Sequence, residues 1–217
     1  MKSDLDIRLE TPEDYDEVEQ ITRAAFWNHH VPGCDEHYLT HTLRQSACFL
    51  PELDFVATLH GRMVGNILYT RAVIREDNGA DYPVLSFGPV SVLPEFQGKG
   101  IGSALIRHSL AVAKQAGHSA VLIYGDPEFY KRFGFVSAER YDVGTRDDDY
   151  HIALQALELQ DGALANRSGR FFEDDAYEVD AKAAEKFDAG FPEKERLSGL
   201  PSQIRFLELV KMRRPRR

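Results

Sequence analysis

Residues 87–103 read Phe-Gly-Pro-Val-Ser-Val-Leu-Pro-Glu-Phe-Gln-Gly-Lys-Gly-Ile-Gly-Ser, and this stretch constrains the fold more than any other part of the chain. An apolar strand runs through Gly88 and Pro89 to Leu93, and a turn follows at Pro94. Glycines then alternate at 98, 100 and 102, ahead of a helical pattern from Ala104 to Ala116. With no Cβ atoms in the way, such a turn leaves several backbone N–H groups converging at a helix N-terminus. Unpaired donors and the positive end of the helix dipole together hold phosphate. Lys99 adds a positive charge at the same place. The sequence thus predicts a strand–turn–helix that holds a pyrophosphate-bearing ligand; the alternative is a glycine-rich turn that is architecture only.

The ligand class follows from what the motif lacks. A Walker loop needs Gly-x-x-x-x-Gly-Lys-Ser/Thr, but Lys99 is followed by Gly100, with no hydroxyl for magnesium. A dinucleotide fingerprint needs Gly-x-Gly-x-x-Gly, whereas this chain reads Gly-x-Gly-x-Gly. A second signature lies downstream, Gly125-Asp126-Pro127-Glu128-Phe129-Tyr130-Lys131-Arg132-Phe133-Gly134-Phe135. The strand Ala120–Tyr124 ends at Gly125, Asp126 caps a short helix with Pro127 at its first position, and Gly134 ends it in a left-handed conformation.

The segment Gln97 to Gly102 resembles the acetyl-CoA signature Gln/Arg-x-x-Gly-x-Gly/Ala of the GCN5-related N-acetyltransferases, the GNAT family. Tyr130 to Phe135 resembles that family's Tyr-x-x-x-Gly-Phe segment. The Gly-Asp-Pro run before the tyrosine is similar to that of a group of predicted N-acetyltransferases within it. The resemblance covers roughly residues 5–160. It implies an α/β acyl-CoA N-acyltransferase fold, a central mixed, mostly antiparallel sheet flanked by helices. Residues 1–160 form the domain, and 161–217 a C-terminal extension packed on it. The implied reaction is transfer of acetyl from acetyl-CoA to a primary amine of a small molecule or protein, by direct attack in a ternary complex. Tyr130 would be the acid that protonates the departing thiolate; the alternative for it is a packed aromatic. A bulge at Gly88-Pro89 would splay this strand from the next parallel one, since proline cannot donate to a ladder. Pantetheine would then pair with the backbone of Val90, Ser91 and Val92, and Gln97, Gly98, Lys99, Gly100, Ile101, Gly102 and Ser103 would take the pyrophosphate. Many members carry an asparagine about seven residues before the tyrosine to hold pantetheine. Here that position is Ile123, which leaves backbone groups or Asp126 for the task. A non-catalytic acyl-CoA-binding sensor or scaffold is the alternative function.

Composition is ordinary for a soluble globular protein. The 217 residues are 43% hydrophobic and 28% charged, enough for one domain with a full core. No apolar run approaches the ~18 residues of a membrane span, and the polar start Met-Lys-Ser-Asp-Leu-Asp is unlike a signal peptide. Cys34 and Cys48 make no disulfide framework, which leads to an expected cytoplasmic setting. The net charge of −9 argues against nucleic acid as the main partner and favours a cationic acceptor. No membrane partner is expected, and a homodimer is left open.

Along the chain, periodicity predicts a strand at 5–10, a helix opened by Thr11-Pro12-Glu13-Asp14 and a second helix over 35–45. A hairpin of 55–59 with 64–74 and a strand at 84–92 follow, and after the glycine turn strands at 120–124, 135–143 and 150–159. Beyond residue 160 come an acidic loop with a short strand at 171–177, a helix over 180–187 and a helix or strand over 201–210. Asp147-Asp148-Asp149 reads as a solvated turn or a cation site. The basic end 211–217 reads as a frayed tail or a contact for an anionic partner.

Attack of an amine on a thioester requires removal of an ammonium proton, orientation and a stabilised oxyanion, the last suited to backbone N–H groups around Val90. The strand before the bulge, Val84-Leu85-Ser86-Phe87, offers no carboxylate or histidine as base. The family resemblance sets the loop 26–38 on the acceptor side. There Glu36 and His37 are candidates to bind or deprotonate an amine, with Trp27 as an apolar wall. His29, His30, Cys34, His37 and His41 offer a metal reading, but no further ligand pair completes a recognised set, and no metal is expected.

Overall fold

The structure, a computed structural model, describes residues 4–216; Met1–Ser3 of the polar start and Arg217 of the basic end lie outside them. The chain opens with β1 (Leu5–Leu9) and a turn at Pro12–Asp14 that runs into α1 (Tyr15–Phe26). Asp14 fastens this start: its carboxylate accepts from the Thr11 backbone N–H and hydroxyl, each at 2.9 Å, and pairs with Arg8. Next come α2 (Glu36–Leu43), β2 (Phe55–Leu59), β3 (Arg62–Glu76) and β4 (Asp81–Val92). They are followed by α3 (Ile101–Gln115), β5 (Ala120–Tyr124) and α4 (Pro127–Tyr130). Short strands succeed them: β6 (Val136–Ser137), β7 (Val143–Gly144), β8 (Asp149–His151), β9 (Leu154–Glu158) and β10 (Gly169–Phe172). The chain closes with α5 (Ala181–Asp188), α6 (Pro201–Lys211) and β11 (Arg213–Pro215).

Two strands expected to be long are broken. Residues 138–141 coil into a tight helical turn that ends at Asp142 with φ +56°, splitting 135–143 into β6 and β7. Between β8 and β9 the Ala153 N–H turns away to donate to His151 Nδ1 at 3.0 Å. Tyr150, Ile152, Leu154 and Ala156 keep the apolar alternation across the second break, whereas Glu139-Arg140 sets two polar residues side by side at the first.

The sheet runs in the order β1-β2-β3-β4-β5-β9-β6. β1/β2, β2/β3, β5/β9 and β6/β9 pair antiparallel, and β4/β5 is parallel. β10 pairs antiparallel with the end of β3, Phe171 opposite Ile74, and parallel with β7. This is the mixed, mostly antiparallel sheet flanked by helices that the motifs led one to expect. Among the described residues no helix is long and apolar enough to cross a membrane.

The chain divides into two compact units, of residues 1–69, 88–109 and 175–204, and of 70–87, 110–174 and 205–217. Residues 161–217 are therefore not a body apart; they are shared between the two. In the first unit Val18 and Ile21 of α1 pack with Val56 and Met63, while Phe55 meets His108 of α3, ring centroids 4.9 Å apart. Phe55 and Val56 are consecutive, so their side chains leave opposite faces of β2, and α1 and α3 cover one face each. In the second unit Ile74, Val84, Leu122, Leu154, Ala156 and Phe171 form the centre of the core.

The basic end is anchored in the second unit. β11 pairs with β8, and the Arg216 side chain, 1% exposed, donates to Asp77, Asp142 and Asp148 at 2.6–3.0 Å. Asp148 thus serves an arginine. Among the described residues no group of three or more His, Cys, Asp or Glu side chains is arranged to hold a metal ion. Arg216, first of all, holds the Asp142 carboxyl below its ordinary range. That stabilisation is complete above the unfolded carboxyl's pKa and is lost as pH falls through the lowered folded value. Arg216→Ala is expected to cost about 1–3 kcal/mol in urea unfolding at pH 7, with a smaller difference from wild type as pH falls below about 4. An unchanged midpoint at pH 7 would show the clamp to be dispensable.

Candidate active site

In the first unit the strand end of β4 leads through the turn Pro94–Phe96 into the glycine segment. Gly98 and Gly100 have φ of +71° and +87°, and a Cβ built on either would meet nothing within 4 Å. Glycine is required there by the left-handed backbone, and the face that the missing side chains leave is open. The first α-helical bond runs from the Ala104 N–H to the Gly100 carbonyl, 2.9 Å. Ile101, Gly102 and Ser103 therefore carry the N–H groups that have no helical acceptor. Gln97 holds the turn to β4 by donating from Nε2 to the Val92 carbonyl at 3.0 Å. The Lys99 ammonium lies 5.1 Å from the Phe96 ring centroid, on the exposed side of the turn.

Val90 and Val92 are half-buried, and Ser91 between them is fully buried. The Ser91 hydroxyl donates to Thr22 Oγ1 at 3.0 Å, and Thr22 in turn bonds Asn66. What Ser91 offers a ligand is its backbone. Opposite it, a Cβ on Gly65 would stand 2.5 Å from the Ser91 carbonyl oxygen, so Gly65 is what lets β3 come this close.

In the second unit the tyrosine segment folds by local rules. Asp126 Oδ1 accepts from the Glu128 N–H at 2.9 Å, Pro127 opens α4, and Gly134 ends the following turn with φ +92°. The Tyr130 ring lies among Phe87, Phe129 and Phe135 at centroid distances of 5.0–6.0 Å. Burial pushes its phenol well above the ordinary tyrosine range, so it stays protonated at neutral pH. A Cβ on Gly125 would overlap that ring, and glycine here sets where the ring lies. Asp126 also takes Arg205 of α6, at 3.1 and 3.3 Å, which holds its carboxyl below the usual value. Three of its roughly four acceptor directions are thus in use. Ile123 is in the core.

The loop 26–38 belongs to the first unit, and there the chain's own C-terminal part occupies two of the three acceptor candidates. Trp27 Nε1 donates to the Glu195 carbonyl at 2.8 Å, under the Arg23 guanidinium. His37 has no exposed surface: Phe187 and Phe191 enclose its ring, and Nε2 stands 3.1 Å from Asp188 Oδ1. Burial above all lowers its pKa, so the imidazole is neutral. Glu36 keeps partial exposure and pairs with His30 at 2.9 Å. His37→Ala should therefore act on folding, lowering stability by about 2–4 kcal/mol in denaturant unfolding. Stability within about 0.5 kcal/mol of wild type, with a raised Michaelis constant for the acceptor, would instead return His37 to the substrate.

One carboxylate escaped the sequence reading. Glu173, just after β10, accepts from Ser86 Oγ on β4 at 2.7 Å, and burial pushes its pKa up to about 7. The two residues lie 87 positions apart, beyond the reach of any local motif. The acidic loop was visible, but not the strand it returns to.

The Acetyltransferase (GNAT) domain family matches residues 51–137. The chain is 30% identical over 164 residues to YhbS of Escherichia coli K12, described as an uncharacterized N-acetyltransferase, covering 75% of this chain and 92% of that one. The crystal structure of YhbS in complex with CoA matches with a TM-score of 0.72 at 26% identity, over 82% of this chain and 94% of that one. A GNAT family acetyltransferase from Brucella melitensis, solved with acetyl-CoA, matches with a TM-score of 0.64 at 30% identity, over 80% and 97%. With the glycine turn, the tyrosine segment and the sheet in the same chain as these likenesses, the protein belongs to the GNAT family of N-acetyltransferases.

Proposed function

We propose that the protein transfers the acetyl group of acetyl-CoA to a primary amine of a small molecule or protein, by direct attack in a ternary complex. The observation that carries this reading is the open glycine turn at the start of α3, in a family whose members have been solved with CoA and acetyl-CoA. Gln97 to Ser103 would hold the pyrophosphate with backbone N–H groups, helped by the helix dipole and Lys99. The backbone of Val90, Ser91 and Val92 would pair with pantetheine as an added strand, and an N–H near Val90 would receive the oxyanion.

Tyr130 is the acid in this scheme. As the C–N bond forms and the C–S bond breaks, its phenol hydrogen-bonds the leaving sulfur and supplies the proton that makes the free thiol. A phenol of raised pKa gives up a proton reluctantly. The transfer is completed because the nitrogen of the adduct, now cationic, releases a proton in its turn. Asp126, already held by Arg205, fixes the start of α4 and leaves at most one acceptor direction to pantetheine. On the acceptor side, Glu36 is the member of the Trp27, Glu36 and His37 set whose carboxylate keeps exposure, and a cationic amine is its natural partner.

Acetyl-CoA and CoA are expected to raise the unfolding midpoint while ATP and NAD do not, by about 2.7 kcal/mol of stabilisation at 100 times Kd. Gly100→Val, which sets a β-branched residue at φ +87° in the phosphate turn, should abolish that shift. Tyr130→Phe should keep the shift and lower kcat for thiol release about 10²- to 10⁴-fold with a responsive amine. Stabilisation by CoA without thiol release from any of a panel of amines would leave a binding module in place of an enzyme.

A further inference from the structure

Glu173 sits at the end of a well-held strand. β10 is registered against β3, with Phe172 opposite Val73, and the guanidinium groups of Arg75, Arg146 and Arg170 gather within 4.9–5.5 Å of the Phe172 ring. Arg146 also reaches the Glu173 carbonyl, 3.5 Å from Nη2. The carboxylate itself accepts from Ser86, which has no exposed surface. The charged and titratable groups facing it are Arg146, from the segment between β7 and β8, and the Tyr124 phenol at the end of β5. Asp147 faces the same phenol, which burial and then the Glu173 charge raise. Burial outweighs both the Ser86 hydrogen bond and the Arg146 charge, and Glu173 titrates near neutrality.

We propose that Glu173 is the general base of the reaction, taking the proton from the ammonium of the acceptor; the assignment rests on the acetyltransferase reading above. Ser86 stands on the strand that lacks a base of its own, and the fold brings a carboxylate to it. The next residue, Phe87, packs on Tyr130, centroids 6.0 Å apart. Consecutive residues of a strand leave opposite faces, so β4 presents the base on one side and the acid on the other. An amine that arrives and a thiolate that departs make the same demand on the two sides of one carbonyl carbon. The ammonium gives one proton to Glu173, which passes it to solvent, and the neutral nitrogen attacks the thioester. The C–N bond forms, the C–S bond breaks with its electron pair on sulfur, and sulfur takes a proton from Tyr130. The phenolate regains a proton from the cationic nitrogen of the adduct. An ammonium and acetyl-CoA thus give an amide, a free thiol and one proton.

The test is the pH dependence of kcat/KM for two primary amines whose own pKa values differ by at least one unit. Wild type should show activity rising through a limb near pH 7 with both amines. Glu173→Gln should lower kcat/KM at neutral pH about 10²- to 10³-fold and remove the limb, with CoA still raising the unfolding midpoint. Ser86→Ala takes a donor from the carboxylate, which favours its protonated form, so the limb should move to higher pH. Wild-type activity and an unmoved limb in Glu173→Gln, or a limb that follows the amine, overturns the assignment alone. Thiol release absent from wild type with every amine overturns the acetyltransferase reading, and this assignment with it. If Glu173→Gln also loses the response to CoA, the direction of the Ser86→Ala shift decides.

Discussion

Among the described residues, β4 and β5 share one parallel register pair, Leu85 with Val121, and the ladder does not go on to Phe87 and Ile123. The sequence at that point is built to stop. Gly88 holds φ at +148°, and Pro89 has no N–H to offer. Beyond the stop β4 continues to Val92, and the glycine turn follows five residues after it. The open turn at the helix start belongs to the first unit, and the phenol kept neutral by burial and the carboxylate carried to Ser86 belong to the second.

Acids are handled differently in the two units. In the first, Glu10 and Asp54 are raised above their ordinary values by burial, and Arg44 answers them: it pairs with Glu10 and Glu19 and lies 4.1 Å from the Tyr15 ring centroid. Asp188 likewise receives Arg23. Glu10, Glu19 and Asp188 thus each give oxygens to an arginine that joins elements. Glu173 in the second unit instead has a hydroxyl as its close side-chain donor, with Arg146 acting on its charge from further off. Where burial outweighs the partner, a carboxyl rises above its ordinary range, as Glu10 does even beside Arg44, and Glu173 beside a hydroxyl can change its charge near neutral pH.

What could be read in advance follows the range of the interactions. Asp126, Pro127 and Gly134 act within a few residues, through a cap, a fixed φ and a left-handed end, and each does in the structure what its type predicts. The glycine turn is of the same kind. The break at Asp142 and the clamp at Arg216 depend on partners far along the chain, so a strand was expected in the first place and a loose tail was one reading of the second. His37 carries the lesson furthest. Its type invites a chemical role, but its environment is set by Phe187, Phe191 and Asp188, about 150 residues on. Glu173 is the converse: an unremarkable acid in sequence, whose raised pKa comes from burial beside Ser86.

The chain passes from one compact unit to the other at 69/70, 87/88, 109/110, 174/175 and 204/205. Four of these crossings fall inside regular elements: within β3, β4, α3 and α6. Neither unit corresponds to a continuous stretch of gene, and neither can be moved by recombination without cutting a strand or a helix. Change in such a protein has to come by substitution and by loop insertion, not by exchange of modules. The unit that carries the glycine turn and the unit that carries Tyr130 are bound to be inherited together.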